Sequence, residues 1–145
     1  MHTIRPLETA DWEGWNALWA GYLDFYRAEL SAETSRATFE RLCAGTDGLF
    51  GLLAVEGDGR AVGLANCVIH ATTWSRRPKC YLEDLFVSPD ARGGDLGRDL
   101  LEAVRRAGTD RGASQIYWHT QQYNSRARSL YDVVGRPTSF VVYEM

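Results

Sequence analysis

The chain has 145 residues, 45% of them hydrophobic and 24% charged, with a net charge of −3. That length predicts one domain, residues 1–145, with a single core of ordinary soluble type. The acidic balance provides no basic face for nucleic acid, and no run approaches the roughly 20 apolar residues of a membrane span. The three cysteines, Cys43, Cys67 and Cys80, are odd in number and form no CxxC pair. They argue against a disulfide framework and against a metal site, and for a reducing cytoplasm. The start of the chain, MHTIRPLETADWEG, has no apolar signal core, so no leader peptide is expected.

Residues 2–6 read as a short strand closed by Pro6. Trp12, Trp15, Leu18, Trp19, Tyr22, Leu23 and Tyr26 then recur at spacings of three and four, an amphipathic helix with Thr9 as its cap. A second helix is predicted over 34–44, with Phe39, Leu42 and Cys43 on one face. GLFGLLAV (48–55) and AVGLANCVIHA (61–71) are strands joined by the turn EGDGR (56–60). A polar connection, TTWSRRP (72–78), leads to a third long strand, KCYLEDLFV (79–87). Pro89 stops that strand. A helix marked by Leu96, Leu100, Leu101 and Val104 ends near Gly108, followed by a strand over 114–120. The helix over 124–135 has Asn124 as its cap and ends at Gly135, and TSFVVYE (138–144) reads as a last strand. The resulting order, β-α-α-β-β-β-α-β-α-β, predicts an α/β (α+β) fold: a mixed, mostly antiparallel sheet with helices on both faces.

Between the third long strand and its helix lies Arg92-Gly93-Gly94-Asp95-Leu96-Gly97. A glycine turn at a helix N-terminus aims backbone N–H groups at an anion. It fits neither G-x-G-x-x-G nor the GK[ST] of a P-loop, and by itself a glycine-rich turn needs no ligand. The longer stretch LEDLFVSPDARGGDLGRDLL resembles the acetyl-CoA signature of the GNAT superfamily of N-acetyltransferases, V-x-P-x-x-R-G-x-G-x-G. Val87, Pro89, Arg92, Gly93, Gly97, Arg98, Leu100 and Leu101 fall where that pattern asks. YWHTQQYNSRARSLYDVVG resembles the family's second block, and the two together are similar to the branch that acetylates polyamines and histones.

The resemblance implies the GNAT fold, acetyl-CoA as co-substrate and a primary amine as acceptor. It assigns cofactor contacts to Leu85, Phe86, Val87, Arg92, Gly93, Gly94, Asp95, Leu96, Gly97, Arg98 and Asn124. The cofactor's phosphates would meet loop N–H groups and arginines, and its amide-bearing arm would pair with the strand edge at Leu85–Val87. Glu83, nine residues before Arg92, matches the base, while Asp84 is expected on the opposite face by strand alternation. Tyr131, seven residues after Asn124, matches the proton donor to the departing thiolate; a phenol at about 10 and a thiol at about 8.5 are well matched. A backbone N–H near Leu85 or Phe86 would polarise the thioester. Tyr22, Tyr26 and Trp74, with Glu83, would line the acceptor site, and relatives of this kind form homodimers.

Each assignment has a plainer reading beside it. Glu83 reads equally as a strand carboxylate paired with Lys79 or an arginine, Tyr131 as an aromatic packed on a helix face, and Asn124 as a simple cap. His70 and His119 read as strand histidines, Asp24 and Glu29 as solvated carboxylates. Asp95 stands where the family pattern has glycine; there it adds like charge toward a pyrophosphate, yet it is also a favourable cap for the helix behind it. It keeps open the alternative of a GNAT-fold acyl-CoA- or partner-binding module with weak or no activity.

Overall fold

The computed structural model describes residues 1–145. In chain order the elements are β1 (His2–Pro6), α1 (Trp12–Phe25), α2 (Ala32–Ala44), β2 (Leu49–Glu56), β3 (Ala61–Thr72), β4 (Ser75–Val87), α3 (Leu96–Asp110), β5 (Gln115–Trp118) and α4 (Ser125–Val134). Short 3-10 turns lie at Thr9–Asp11, Thr46–Gly48 and Pro89–Ala91. The sheet runs β1-β2-β3-β4-β5, antiparallel except for the parallel β4–β5 pair.

Each face of the sheet carries its own core. On one, Trp15, Leu18 and Trp19 of α1 and Phe39 and Leu42 of α2 pack on Leu53, Leu64 and Phe86. On the other, Leu100, Leu101 and Val104 of α3 cover Leu52, Cys67, Cys80 and Leu82, with Leu130 and Tyr131 of α4 at the margin. The aromatic stripe of α1 behaves as its spacing predicts. Trp12, Trp15, Trp19, Tyr22 and Tyr26 form a continuous ladder with ring centroids 5.0–6.1 Å apart. Its upper rungs are core, and its last two rungs reach the open edge of β4.

Several boundaries differ from expectation. Thr9 does not cap α1: it opens a 3-10 turn in which Glu8 and Asp11 form a capping box, and Arg5 pins Asp11 at 2.8 and 2.9 Å. The second helix starts at Ala32, capped by the Ser31 hydroxyl on Thr34 N–H at 3.0 Å. The polar stretch 72–78 is mostly strand, with only Thr73 and Trp74 in the turn; Arg77 ties it down through Gly112 and Ala113 carbonyls at 3.2 and 3.0 Å. The last strand does not form. Phe140, Val141, Val142 and Tyr143 are exposed and unpaired, because β propensity needs a neighbouring edge and this segment meets none within its own chain.

A bulge in β4 matters most for function. Opposite β3, Asn66 pairs with Asp84 but Cys67 pairs with Leu82, so the register steps over Glu83. The extra residue breaks side-chain alternation. Cys80 and Leu82 point to the α3 face, whereas Phe86, four residues past Leu82, points to the α1 face. Asp84 therefore joins the α1 face, against the expectation from simple alternation.

Candidate active site

β4 and β5 pair only from Lys79–Gln115 to Leu82–Trp118, and β4 then runs on alone to Val87. This splay opens a cleft of ≈ 310 Å³ between the β4 edge, the glycine loop, the end of α1 and the start of α4. Leu85, Phe86, Val87, Arg92, Gly93, Gly94, Gly97 and Asn124 line it, as do Tyr22, Tyr26 and Tyr131.

The loop is built to receive an anion. Every backbone N–H from Gly93 to Arg98 lacks an acceptor within the protein. Such a run at the positive end of a 15-residue helix suits a polyphosphate. The glycines serve different ends. Gly93 sits at φ +94°, a left-handed turn that side chains resist, while a Cβ on Gly97 would stand 3.2 Å from Leu130 Cδ2 of α4. Gly97 thus lets α4 close against α3 and bring Asn124 and Tyr131 to the cleft. Arg92 is turned back on β4, its Nε donating to the Val87 carbonyl at 3.0 Å and its guanidinium 5.3 Å from the Phe86 ring centre.

Not every expected residue faces the cleft. Asp95 is exposed, does not line it, and its carboxylate makes no cap hydrogen bond, contrary to the expected capping. Leu96 is buried in the core, and Arg98 is exposed on the first turn of α3. Trp74 lies at the tip of the β3–β4 hairpin, 91% exposed, and does not line the cleft. Asn124 both lines the cleft and caps α4, accepting from Ala127 N–H at 3.4 Å.

Two carboxylates stand at the bulge. Glu83 is exposed and free of ion pairs. Asp84 is half-buried, receives Asn66 Nδ2–H at 3.1 Å and faces the Tyr22 hydroxyl. Burial pushes the Asp84 carboxyl up to about 6, with the Asn66 and Tyr22 hydrogen bonds pulling the other way and Glu83 adding to the rise. Asn66 is itself buried and accepts from the Trp15 indole N–H at 3.3 Å. This Trp15–Asn66–Asp84 chain was missed from sequence, although a lone Asn inside the apolar run AVGLANCVIHA was a visible signal. Tyr131 stands across the cleft, edge-on to Trp118 at 5.4 Å, its phenol raised by burial. No cysteine lines the cleft.

A splayed parallel pair beside a loop of unpaired N–H groups defines a class of protein. It holds a cofactor whose phosphate end meets the loop and whose amide-bearing arm lies along the free strand edge. The model of the acetyltransferase (GNAT) family matches residues 15–135, and the chain belongs to that family. It is 35% identical over 142 residues to the D-amino-acid N-acetyltransferase HPA3 of Saccharomyces cerevisiae, spanning 97% of this chain and 88% of that one. Over 64 residues, 44% of this chain and 37% of the relative, it is 36% identical to the thialysine N-epsilon-acetyltransferase of Bos taurus. Its fold is that of AAC(6')-Iy in complex with the bisubstrate analogue CoA-S-monomethyl-acetylneamine. The TM-score there is 0.86 at 24% identity, over 100% of this chain and 97% of that one. The protein is an N-acetyltransferase with acetyl-CoA as co-substrate. The free N–H run, the open β4 edge and the cleft all fit that molecule.

Proposed function

We propose that this single-domain enzyme acetylates the primary amine of a small molecule, polyamine or amino-acid-like, or of a lysine side chain, by direct transfer in a ternary complex. The observation that carries the reading is Asp84: a half-buried carboxyl near about 6, fixed by Asn66 beside the cofactor cleft. The relatives' action on D-amino acids and on thialysine supports a small amine as acceptor.

Bound acetyl-CoA supplies the activated acetyl group. The loop N–H groups from Gly93 to Arg98 hold its phosphates, and the edge from Leu85 to Val87 aligns its arm. Glu83 draws the cationic acceptor to the bulge. Asp84 takes the ammonium proton, freeing the nitrogen lone pair. A backbone N–H at Leu85 or Phe86 polarises the thioester carbonyl. As the C–N bond forms and the C–S bond breaks, Tyr131 gives its proton to the leaving sulfur. The nitrogen sheds its second proton as the C–N bond forms; through solvent that proton restores Tyr131, and Asp84 releases its own proton to solvent before the next turnover. Direct transfer is consistent with the absence of cysteine from the cleft.

The exposed apolar segment Phe140–Tyr143 supports a homodimer in which it pairs with the free outer edge of β5 in a second copy. Three free thiols support a cytoplasmic location. A thiol-release assay across an amine panel, with mass detection of the product, tests the activity. Release that depends on Asp84 and Tyr131 supports it. Tight acetyl-CoA binding without turnover of any amine would identify a binding module instead.

A further inference from the structure

We propose that the tip of the β3–β4 hairpin, Trp74 with Arg76, Arg77 and Lys79, docks the enzyme on an anionic lipid surface. The inference goes beyond the acetyl-transfer reading and does not depend on it.

Trp74 is 91% exposed, whereas Trp15 and Trp19 are buried and Trp12 and Trp118 are half-buried. It is the only one of the five tryptophans that packing does not hold. The tip that carries it is braced. Thr72 and Ser75 pair across the turn, so only Thr73 and Trp74 lie outside the ladder. Trp74 N–H donates to Thr72 Oγ1 at 3.3 Å, and Arg77 N–H donates to Ser75 Oγ at 3.0 Å. The Arg77 guanidinium grips the Gly112 and Ala113 carbonyls, and Ser114 N–H donates to the Pro78 carbonyl at 2.8 Å. A tip already fixed loses little freedom on docking.

Charge gathers at the same place. From Ala61 to Leu82 the chain has no acidic residue. Arg76, Arg77 and Lys79 put three positive charges there, on a chain whose net charge is −3. None of the three is in an ion pair. Arg111, next to the Gly112 that Arg77 holds, adds a fourth cation, with Asp110 the acid beside it. Salt screens charges beyond about 8 Å, so the local cations govern approach rather than the acidic remainder.

Shape favours lipid over a macromolecular partner. A protein hot spot sits within a ring of contacts that exclude water, and a single-stranded nucleic acid stacks successive bases on several aromatics. This tip is a convex turn with one large apolar side chain. A bilayer interface takes an indole at headgroup level with arginine and lysine facing anionic lipid. One tryptophan and a few cations give reversible docking, not a permanent anchor. Ser75 and Leu85 stand ten residues apart on β4, roughly 30 Å, so the cofactor cleft stays open at the far end.

The test sediments the full-length protein with phosphatidylcholine vesicles containing about one-third phosphatidylserine, and with phosphatidylcholine alone. The protein should bind the mixed vesicles at low salt, leave them at high salt and ignore the neutral ones. Arg76→Glu, a change of two charges, should weaken partitioning by about 20-fold, and Trp74→Ala by about tenfold. Both side chains are exposed, so the melting temperature should not move. Binding should shift tryptophan emission to the blue, and Trp74→Phe should remove the shift. Phe140→Asp, in the other exposed apolar segment, should bind as the wild type does. No binding to mixed vesicles, equal binding to neutral ones, or binding that survives both Arg76→Glu and Trp74→Ala overturns the proposal. So does loss of binding in Phe140→Asp, an emission shift that persists in Trp74→Phe, or tighter binding to a single-stranded oligonucleotide than to vesicles. Acetyl transfer stands or falls separately, since vesicle binding is read without substrate.

Discussion

Asn66 donates to Asp84 across the β3–β4 ladder at 3.1 Å, at the point where the register skips Glu83. Because Asn66 is also held by Trp15 in the core, the carboxylate is positioned from below as well as by Tyr22 in the cleft. Asn66 stabilises the charged form of Asp84. Asn66→Ala should therefore raise Asp84 further, moving the ascending limb of kcat/KM to higher pH from its wild-type position near 6. A limb that stays in place would show that the base lies elsewhere.

Asp84→Asn should cost about 100-fold or more in kcat/KM, and it should stabilise the fold. The folded carboxyl sits at about 6 against an ordinary 3.8, so between those values the native state holds a proton that the unfolded chain has released. Stability thus falls as pH rises through that window, leaving a penalty of roughly 3 kcal/mol at neutral pH. Thermal melts should place Asp84→Asn above the wild type at pH 8, with the gap closing at pH 4. Equal melting points at both pH values would remove the burial argument.

Tyr131→Phe should lower kcat by about 100-fold with little change in acetyl-CoA affinity. The Phe ring keeps the edge-on contact with Trp118, so the melting temperature should not move. Burial raises the phenol, and the descending limb of the wild-type profile should lie above 10. Unchanged kcat would reduce Tyr131 to packing.

Asp95→Gly should tighten acetyl-CoA binding only modestly, by about threefold at low salt, since an exposed carboxylate is well screened. The gain should shrink as salt is added. Calorimetry at two ionic strengths measures it, and a salt-independent change would point to backbone geometry instead of charge.

Phe140→Asp should convert the proposed dimer to monomer without unfolding the chain, because the segment makes no buried contact within its own chain. Light scattering reads the mass directly. A monomeric wild type would leave the exposed segment without its proposed partner.

The α1 stripe, the β4–loop–α3 unit and the Asn124-to-Tyr131 spacing were all legible in the sequence. Each is a local pattern: a helical period, a strand followed by Pro and Gly, or a cap followed by two helical turns. Trp74 was expected at the site from residue type, yet the fold places it at a hairpin tip; Leu96 and Arg98 keep their backbone N–H groups at the loop while their side chains go to the core and the helix surface. Facing directions depend on packing, which motif spacing does not encode.

Asp84 shows the limit most clearly. Alternation along β4 is a sequence rule, but the bulge is a property of two strands, arising from how Asn66 and Cys67 pair across the ladder. Only that pairing turned Asp84 toward Asn66 and Tyr22 and buried it enough to raise its pKa. Likewise the C-terminal apolar run declares its propensity locally, while its partner must come from elsewhere. Covalent neighbours determined the elements and the anion loop. Contacts between strands far apart in the chain decided which carboxylate is buried and hydrogen-bonded, because burial and hydrogen bonding exist only once those strands have met.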